Sequence, residues 1–497
     1  MNEKNNSQNH ISILFLAFSI VSVLLILFYS WQRLASFNCV IIFKFQLFTS
    51  LTILTISMLV IKNISQESLM IITLACIGCF YFILCPFQMV PDEEAHFLRA
   101  FEISTGHLFS KQLSSGQFGN VLPRVLADKS GLIDWTDLEE LAFTNTALYS
   151  FVNYIPQAIG ILFARFFTKQ VVSIYYAGRF LNFICAFALS VFALKKMPFG
   201  KKILFIIMVF PMTMQEMISM APDALINALS FVFIAFILHC AYQKEKLECK
   251  DFVIIGILLV LIALCKIVYL GAVFLVYLIP NQKLKNKKYV YILKIVIPLI
   301  AIFFNFIFLI SSTAFLATSK LNGSDSNEQI KFMIANPLNY MKIFIRSLVD
   351  TFKFCIMSCI GSPLGWLNIE NESWILFLAL LIYFTLTCND INVKLRKIDM
   401  LIYLLYVSAG IALIFTSEYV GWTTPKADFI TGVQGRYLIP LVPCLLLPIV
   451  YKNYFDNISF GNYNAVRIKS SYLYILSLVF NFYVLITVCA YYIIYPA

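Results

Sequence analysis

Apolar runs of about twenty residues recur from one end of the 497-residue chain to the other, and a run of that length matches the hydrocarbon thickness of a bilayer. A soluble chain hides apolar residues in amphipathic periods, which these runs do not show. Composition agrees. Hydrophobic residues make up 60% of the chain and charged residues 13%, with mean hydropathy +0.83, where a soluble domain carries about a quarter charged. Candidate spans cover 11–30, 40–61, 69–88, 151–167, 171–194, 203–220, 224–242, 252–280, 289–311, 374–388, 400–417, 438–450 and 472–495. The expected fold is an all-α integral membrane protein of about 12–13 transmembrane helices. The run at 11–30 has no small-residue cleavage site and is expected to be retained as a helix.

The net charge of +11 does not point to nucleic acid, because the bases cluster in short loops in the positive-inside manner. Lys195, Lys196, Lys201 and Lys202 mark one cytoplasmic turn, and Lys283, Lys285, Lys287 and Lys288 a second. Lys394, Arg396 and Lys397 mark a third, Arg467 and Lys469 a fourth. The long segment 89–150 holds nine acids against four bases, including Lys129, and is placed outside, as are 313–373 and 418–435. This alternation makes two demands. The two apolar runs in 151–194 must cross an odd number of times, so one is expected to be re-entrant or interfacial. The stretch 252–280 joins two lysine-rich loops, so it is expected to be a short hairpin or a buried excursion interrupted near Lys266.

The 13 cysteines lie mostly in the spans, Cys76 and Cys79 among them, and offer no disulfide framework in the loops. No phosphate-binding glycine loop, Walker lysine or internal repeat is present, which argues against a nucleotide-driven pump. Chemistry is therefore sought in charges that loop solvation does not explain. The densest group is Pro91-Asp92-Glu93-Glu94-Ala95-His96-Phe97-Leu98-Arg99-Ala100, where the third span leaves the membrane. Pro91 suits a first helical turn, and the acids after it suit the positive end of the helix dipole. Asp92, His96 and Arg99 then share one face, while Phe97, Leu98 and Phe101 form an apolar side expected to lie on the membrane surface. Such a helix offers a general base or a divalent-cation site, or simply a favourable helix start. Arg179 and Asn182 sit one turn apart in a span. Asp223 follows Pro222, either as a helix cap or as part of a site. Lys266 lies inside an apolar stretch and must be paired, wetted or snorkelling. Arg436 opens a late span, where a guanidinium can grip a phosphate. Carboxylates and bases near one membrane face suit an anionic, lipid-linked substrate.

At these residues the chain resembles the bacterial membrane proteins grouped as domain of unknown function 2142. The resemblance rests on 90–100, on Ala177-Gly178-Arg179-Phe180-Leu181-Asn182, on Ser219-Met220-Ala221-Pro222-Asp223-Ala224, on Lys266 with Tyr269, and on Gln434-Gly435-Arg436-Tyr437-Leu438-Ile439-Pro440. That family in turn looks like the C-type glycosyltransferase fold, which takes a sugar from a polyprenyl-phosphate donor. The resemblance implies Asp92 as catalytic base, with Glu93 as neighbour or substitute, and a divalent cation (Mg or Mn) on Asp92 and Glu93 if any metal is used. It implies substrate contacts from His96, Arg99, Arg179, Asn182, Asp223, Lys266, Tyr269, Gln434, Arg436 and Tyr437. Glu94 stands where the family's motif leads one to expect proline, and two spans precede the core. The implied layout is two N-terminal helices in 1–68, a catalytic membrane core in 69–451 that includes the loop 89–150, and a cytoplasmic loop with a last helix in 452–497. The expected partners are the bilayer, a polyprenyl-phosphate sugar and a glycan or glycolipid acceptor, with no nucleic acid. The expected place is a bacterial cell membrane, crossed many times, with the site facing outside. A transporter of lipid-linked glycan and a non-catalytic assembly partner remain open alternatives.

Overall fold

The computed structural model describes residues 16–28, 30, 39–62, 64–86, 88–128, 130–147, 149–316, 323–387, 396–450 and 470–494. Lys129, Lys394, Arg467 and Lys469 lie outside the described residues. Among those described, six helices are long and apolar enough to cross a membrane unaided: Gln66–Leu84, Val171–Lys196, Asp223–Tyr242, Lys287–Phe308, Lys397–Gly421 and Tyr472–Tyr492. The shortest, at 19 residues, reaches about 29 Å at 1.5 Å per residue. Asp223–Tyr242 is the hub, buried along nearly its whole length against Val171–Lys196 and Cys249–Cys265.

The other apolar runs are broken or short. The run at 203–220 divides into Lys201–Met208 and Pro211–Met217, with Pro211 restarting the helix as its first residue. In 151–194 the first run forms only a 3-10 turn, Phe151–Tyr154, and the helix Ile155–Ala164. Ten helical residues span about 15 Å, half a bilayer, so this is the piece that does not cross. The stretch 252–280 is a hairpin. Helix Cys249–Cys265 enters, Lys266 is extended at the tip, and the 3-10 helix Ile267–Leu278 returns. The two feet meet where Leu247 N–H donates to the Lys283 carbonyl at 3.1 Å. Carbonyls freed at the break are taken up by side chains: Asn153 Nδ2 donates to Cys265 O at 2.8 Å, and Asn305 Nδ2 to Ala263 O at 2.5 Å.

The basic loops gather at one end of the bundle. Lys201 pairs with Glu67 at 2.5 Å, Lys244 with Asp251 at 2.7 Å, Lys283 Nζ donates to Lys244 O, and Arg396 to Leu278 O. The loop after Gln66–Leu84 covers the opposite end, and here the structure corrects two expectations. The helix begins at Glu93, with Pro91 before it and Asp92 at its N-cap in the left-handed region, φ 59°. Its Phe97, Leu98 and Phe101 are buried against Phe118, Leu122, Leu141 and Tyr175 and do not lie on a membrane surface. What covers them is a small antiparallel sheet of Lys111–Gln112, Phe118–Pro123 and Leu138–Ala142, absent from an all-α reading. Strands of two to six residues are too short to display an alternating pattern, so periodicity could not reveal them.

Candidate functional site

Asp92 and Glu93 are consecutive, and the backbone sends them in different directions. With Asp92 left-handed, its Oδ1 accepts from Asn145 Nδ2 at 3.0 Å and its carboxylate lines a cavity. Glu93 turns into the protein, where Oε1 accepts from Met220 N–H at 3.0 Å and lies 3.5 Å from Arg179 Nε. Both members of that ion pair are fully buried. Arg179 also donates to the carbonyls of Ile218, Cys85 and Pro86, and Asn182 Nδ2 to those of Ser219 and Ala221. These three side chains tie the turn ahead of Asp223 to the end of Gln66–Leu84. Arg99 forms a buried pair with Glu102 and donates to Leu108 O and Tyr149 O, while Ser110 and Asn120 donate to the same Glu102. Glu93, Arg99, Arg179 and Asn182 therefore stand outside the cavity.

The cavity, about 320 Å³, opens between the loop helix, the hairpin tip and the end of Lys397–Gly421. Asp92, His96, Lys266, Gln434, Arg436 and Tyr437 all line it, bringing together residues up to 345 positions apart. Lys266 reaches it because the hairpin breaks there. Its Nζ is 3.6 Å from Asp223 Oδ1 and 3.9 Å from the centroid of the Tyr437 ring. Arg436 Nη1 is 3.2 Å from Glu216 Oε1, and its Nε, like Gln434 Oε1, is buried without a hydrogen-bond partner among the described residues. Tyr269 holds the wall from behind, donating from its hydroxyl to Tyr437 O at 2.9 Å. Each cation is thus backed by a buried acid while presenting itself to the cavity. That arrangement suits binding of an anion more than a bare buried charge would, because the backing acid offsets part of the cost of burying the cation.

His96 Nδ1 lies 2.8 Å from the Tyr154 hydroxyl. Burial, joined by Arg436 and Lys266 and opposed by Asp223, pushes its pKa down to about 3, so the ring is neutral near pH 7. Burial also raises the Tyr149 phenol, which keeps its proton. Among the described residues no group of three or more His, Cys, Asp and Glu side chains is placed to hold a metal ion. The divergence of Asp92 and Glu93 means that they do not form a joint ligand pair.

Two acids were not singled out in the sequence. Glu418 lines the cavity from the last turn of Lys397–Gly421. It was hidden because the apolar run stops at Ser417 and leaves it reading as a loop residue. Glu216 was hidden by its distance in sequence from Arg436. Gly432, at φ +86°, makes room for Glu418: a Cβ there would stand 2.9 Å from Glu418 Oε2 and 2.5 Å from Trp422 Cδ1. A larger open groove, about 620 Å³, lies at the lysine-rich end between Tyr277, Lys287 and Lys294, and contains none of these residues.

No curated protein and no solved structure matches the chain. The model of one family, described as "Predicted membrane protein (DUF2142)", matches residues 134–445. The matched stretch takes in Arg179, Asn182, Asp223, Lys266, Tyr269 and 434–437, and opens after 90–100, so Asp92 joins the site through geometry alone. With well over half of its length matched and six helices fit to cross a bilayer, the chain belongs to the DUF2142 family of membrane proteins.

Proposed function

We propose that this protein is an inverting membrane glycosyltransferase of a bacterial cell envelope. It moves a sugar from a polyprenyl-phosphate donor to a glycan or glycolipid acceptor at the outer face of the membrane. The observation that carries the reading is the cavity in which the Asp92 carboxylate meets Lys266 and Arg436. The acceptor hydroxyl attacks the anomeric carbon, and its proton passes to Asp92. The bond from that carbon to the phosphate oxygen breaks, and the phosphate keeps the electron pair. Lys266 and Arg436 meet the charge that develops on the departing phosphate. Leu264, Ile267, Val268 and Phe308 give the cavity an apolar wall suited to the prenyl chain. The outward orientation is supported by the basic loops, which gather at the other end.

A transporter of lipid-linked glycan is favoured by one observation, the placement of Lys266 at the break of a membrane hairpin. The test is a comparison of envelope glycans, by composition and mass, from strains carrying wild-type, Asp92→Asn and deleted protein at matched expression. Loss of one sugar substituent in both altered strains, with a lipid-linked sugar accumulating, supports transfer. Glycan lost in the deletion but intact with Asp92→Asn sinks the base assignment and leaves the transporter reading.

A further inference from the structure

Helix Pro337–Ile360 is amphipathic in a way that neither a span nor a soluble helix requires. One face is buried, with Ile343, Ser347, Cys355 and Ser358 against the bundle. A second face is an apolar row of Leu338, Met341, Ile345, Val349 and Phe352, spaced by three and four residues and 53–80% exposed. Beside it runs a third, charged row of Lys342, Arg346, Asp350 and Lys353. Four charges along 24 residues make a crossing unfavourable, and five large apolar side chains in a row make a watery setting equally so. Arg346 is engaged by Asp350 at 3.6 Å and Asp428 at 3.4 Å, whereas Lys342 and Lys353 have no carboxylate partner among the described residues.

The buried face leads directly to the cavity. Tyr340 stacks on Tyr419 and its hydroxyl lies 2.7 Å from Thr416 Oγ1, beside Glu418. Ser347 Oγ accepts from Ile430 N–H, and Ser358 Oγ from Gly435 N–H, both at 2.9 Å. At Gly435 a Cβ would stand 2.0 Å from Cys355 O, so the backbone next to Arg436 rests on this helix.

We infer that Pro337–Ile360 lies along the bilayer surface at the cavity's end of the protein, with its apolar row among acyl chains and Lys342 and Lys353 among anionic phospholipid headgroups. Through Gly435 it sets the height of Arg436 relative to the membrane. The net basic character of the row selects anionic lipid over a neutral surface. This inference is independent of sugar transfer, and its test reads no activity.

The full-length protein is placed in lipid nanodiscs with a nitroxide-bearing residue introduced at single positions by codon suppression, leaving the native cysteines in place. Labels at Met341, Ile345, Val349 and Phe352 are expected to be relaxed by oxygen, and labels at Lys342 and Lys353 by an aqueous nickel chelate. Depths at Met341 and Phe352 are expected to differ by far less than the ~16 Å that an upright helix gives over eleven residues. In phosphatidylglycerol, adding Lys342→Glu and Lys353→Glu together should shift the Val349 label towards water; in phosphatidylcholine it should not. An apolar row that reads as aqueous, a depth that changes along the helix as in a span, or an identical response in the two lipids overturns the inference.

Discussion

The buried pair Glu93–Arg179 and the cavity pair Arg436–Glu216 are both ion pairs at the same end of the bundle, yet they differ in what surrounds them. Arg179 spends its Nε and Nη1 donors on Glu93 and three backbone carbonyls, outside the cavity, and its Nη2 has no hydrogen-bond partner among the described residues. Arg436 spends one on Glu216 and turns towards an open volume that Asp92 and Lys266 also line. Each guanidinium keeps one buried nitrogen without a partner among the described residues, so what marks Arg436 as part of a site is the open volume beside it. A buried charge tied mainly to backbone carbonyls and shut off from that volume marks a joint.

The largest effect that separates the two follows from this. Glu93→Gln leaves the Arg179 guanidinium buried beside a neutral partner, and breaking a buried pair in this way costs about 3–5 kcal/mol. The variant is expected to unfold at much lower temperature in detergent or to be missing from the membrane. Asp92→Asn, one residue earlier, is expected to melt like the parent, because among the described residues the hydrogen bond of the Asp92 carboxylate is to Asn145 at the cavity edge. Equal melting of all three proteins would erase the distinction.

A smaller effect sharpens the cavity side. Arg436→Lys keeps a positive charge but cannot hold Glu216 with one arm while offering another donor to the cavity. On the proposed transferase reading, loss of one charge-assisted hydrogen bond of about 1.5 kcal/mol weakens donor binding about tenfold. The check is the KM for lipid-linked sugar, with kcat and melting close to parent. A fall in kcat alone would place the guanidinium at the transition state and not on the resting phosphate.

The sequence made legible the membrane character, a hairpin or buried excursion at 252–280 and one non-crossing run of the two in 151–194, because hydropathy and loop charge are properties of neighbouring residues; which run and which form came from the structure. It also picked out Lys266 and Arg436, each a base isolated in apolar surroundings. It could not separate Asp92 from Glu93, since their divergence depends on one left-handed residue. Nor could it distinguish Arg179 from Arg436, because Arg179 is tied to carbonyls 39 and 94 positions away while Arg436 faces the cavity. Glu418 escaped because a helix continued four residues past its apolar run.

His96 sits on the boundary between joint and site, since it lines the cavity yet is buried against Tyr154. Its pKa falls from about 6.5 in the unfolded chain to about 3 when folded. Between those values the unfolded chain binds a proton that the folded protein does not, so this histidine's contribution is fully present above pH 6.5 and is lost as pH falls towards 3. Lowering pH from 7.5 to 5.5 should therefore remove about 1.4 kcal/mol of stability that His96→Gln, which cannot titrate, retains. Thermal unfolding of the two proteins at both pH values measures the difference. Parallel losses would mean that His96 is protonated in the folded protein, facing Asp223 as a cation, and would move it from the scaffold into the group that binds the anion.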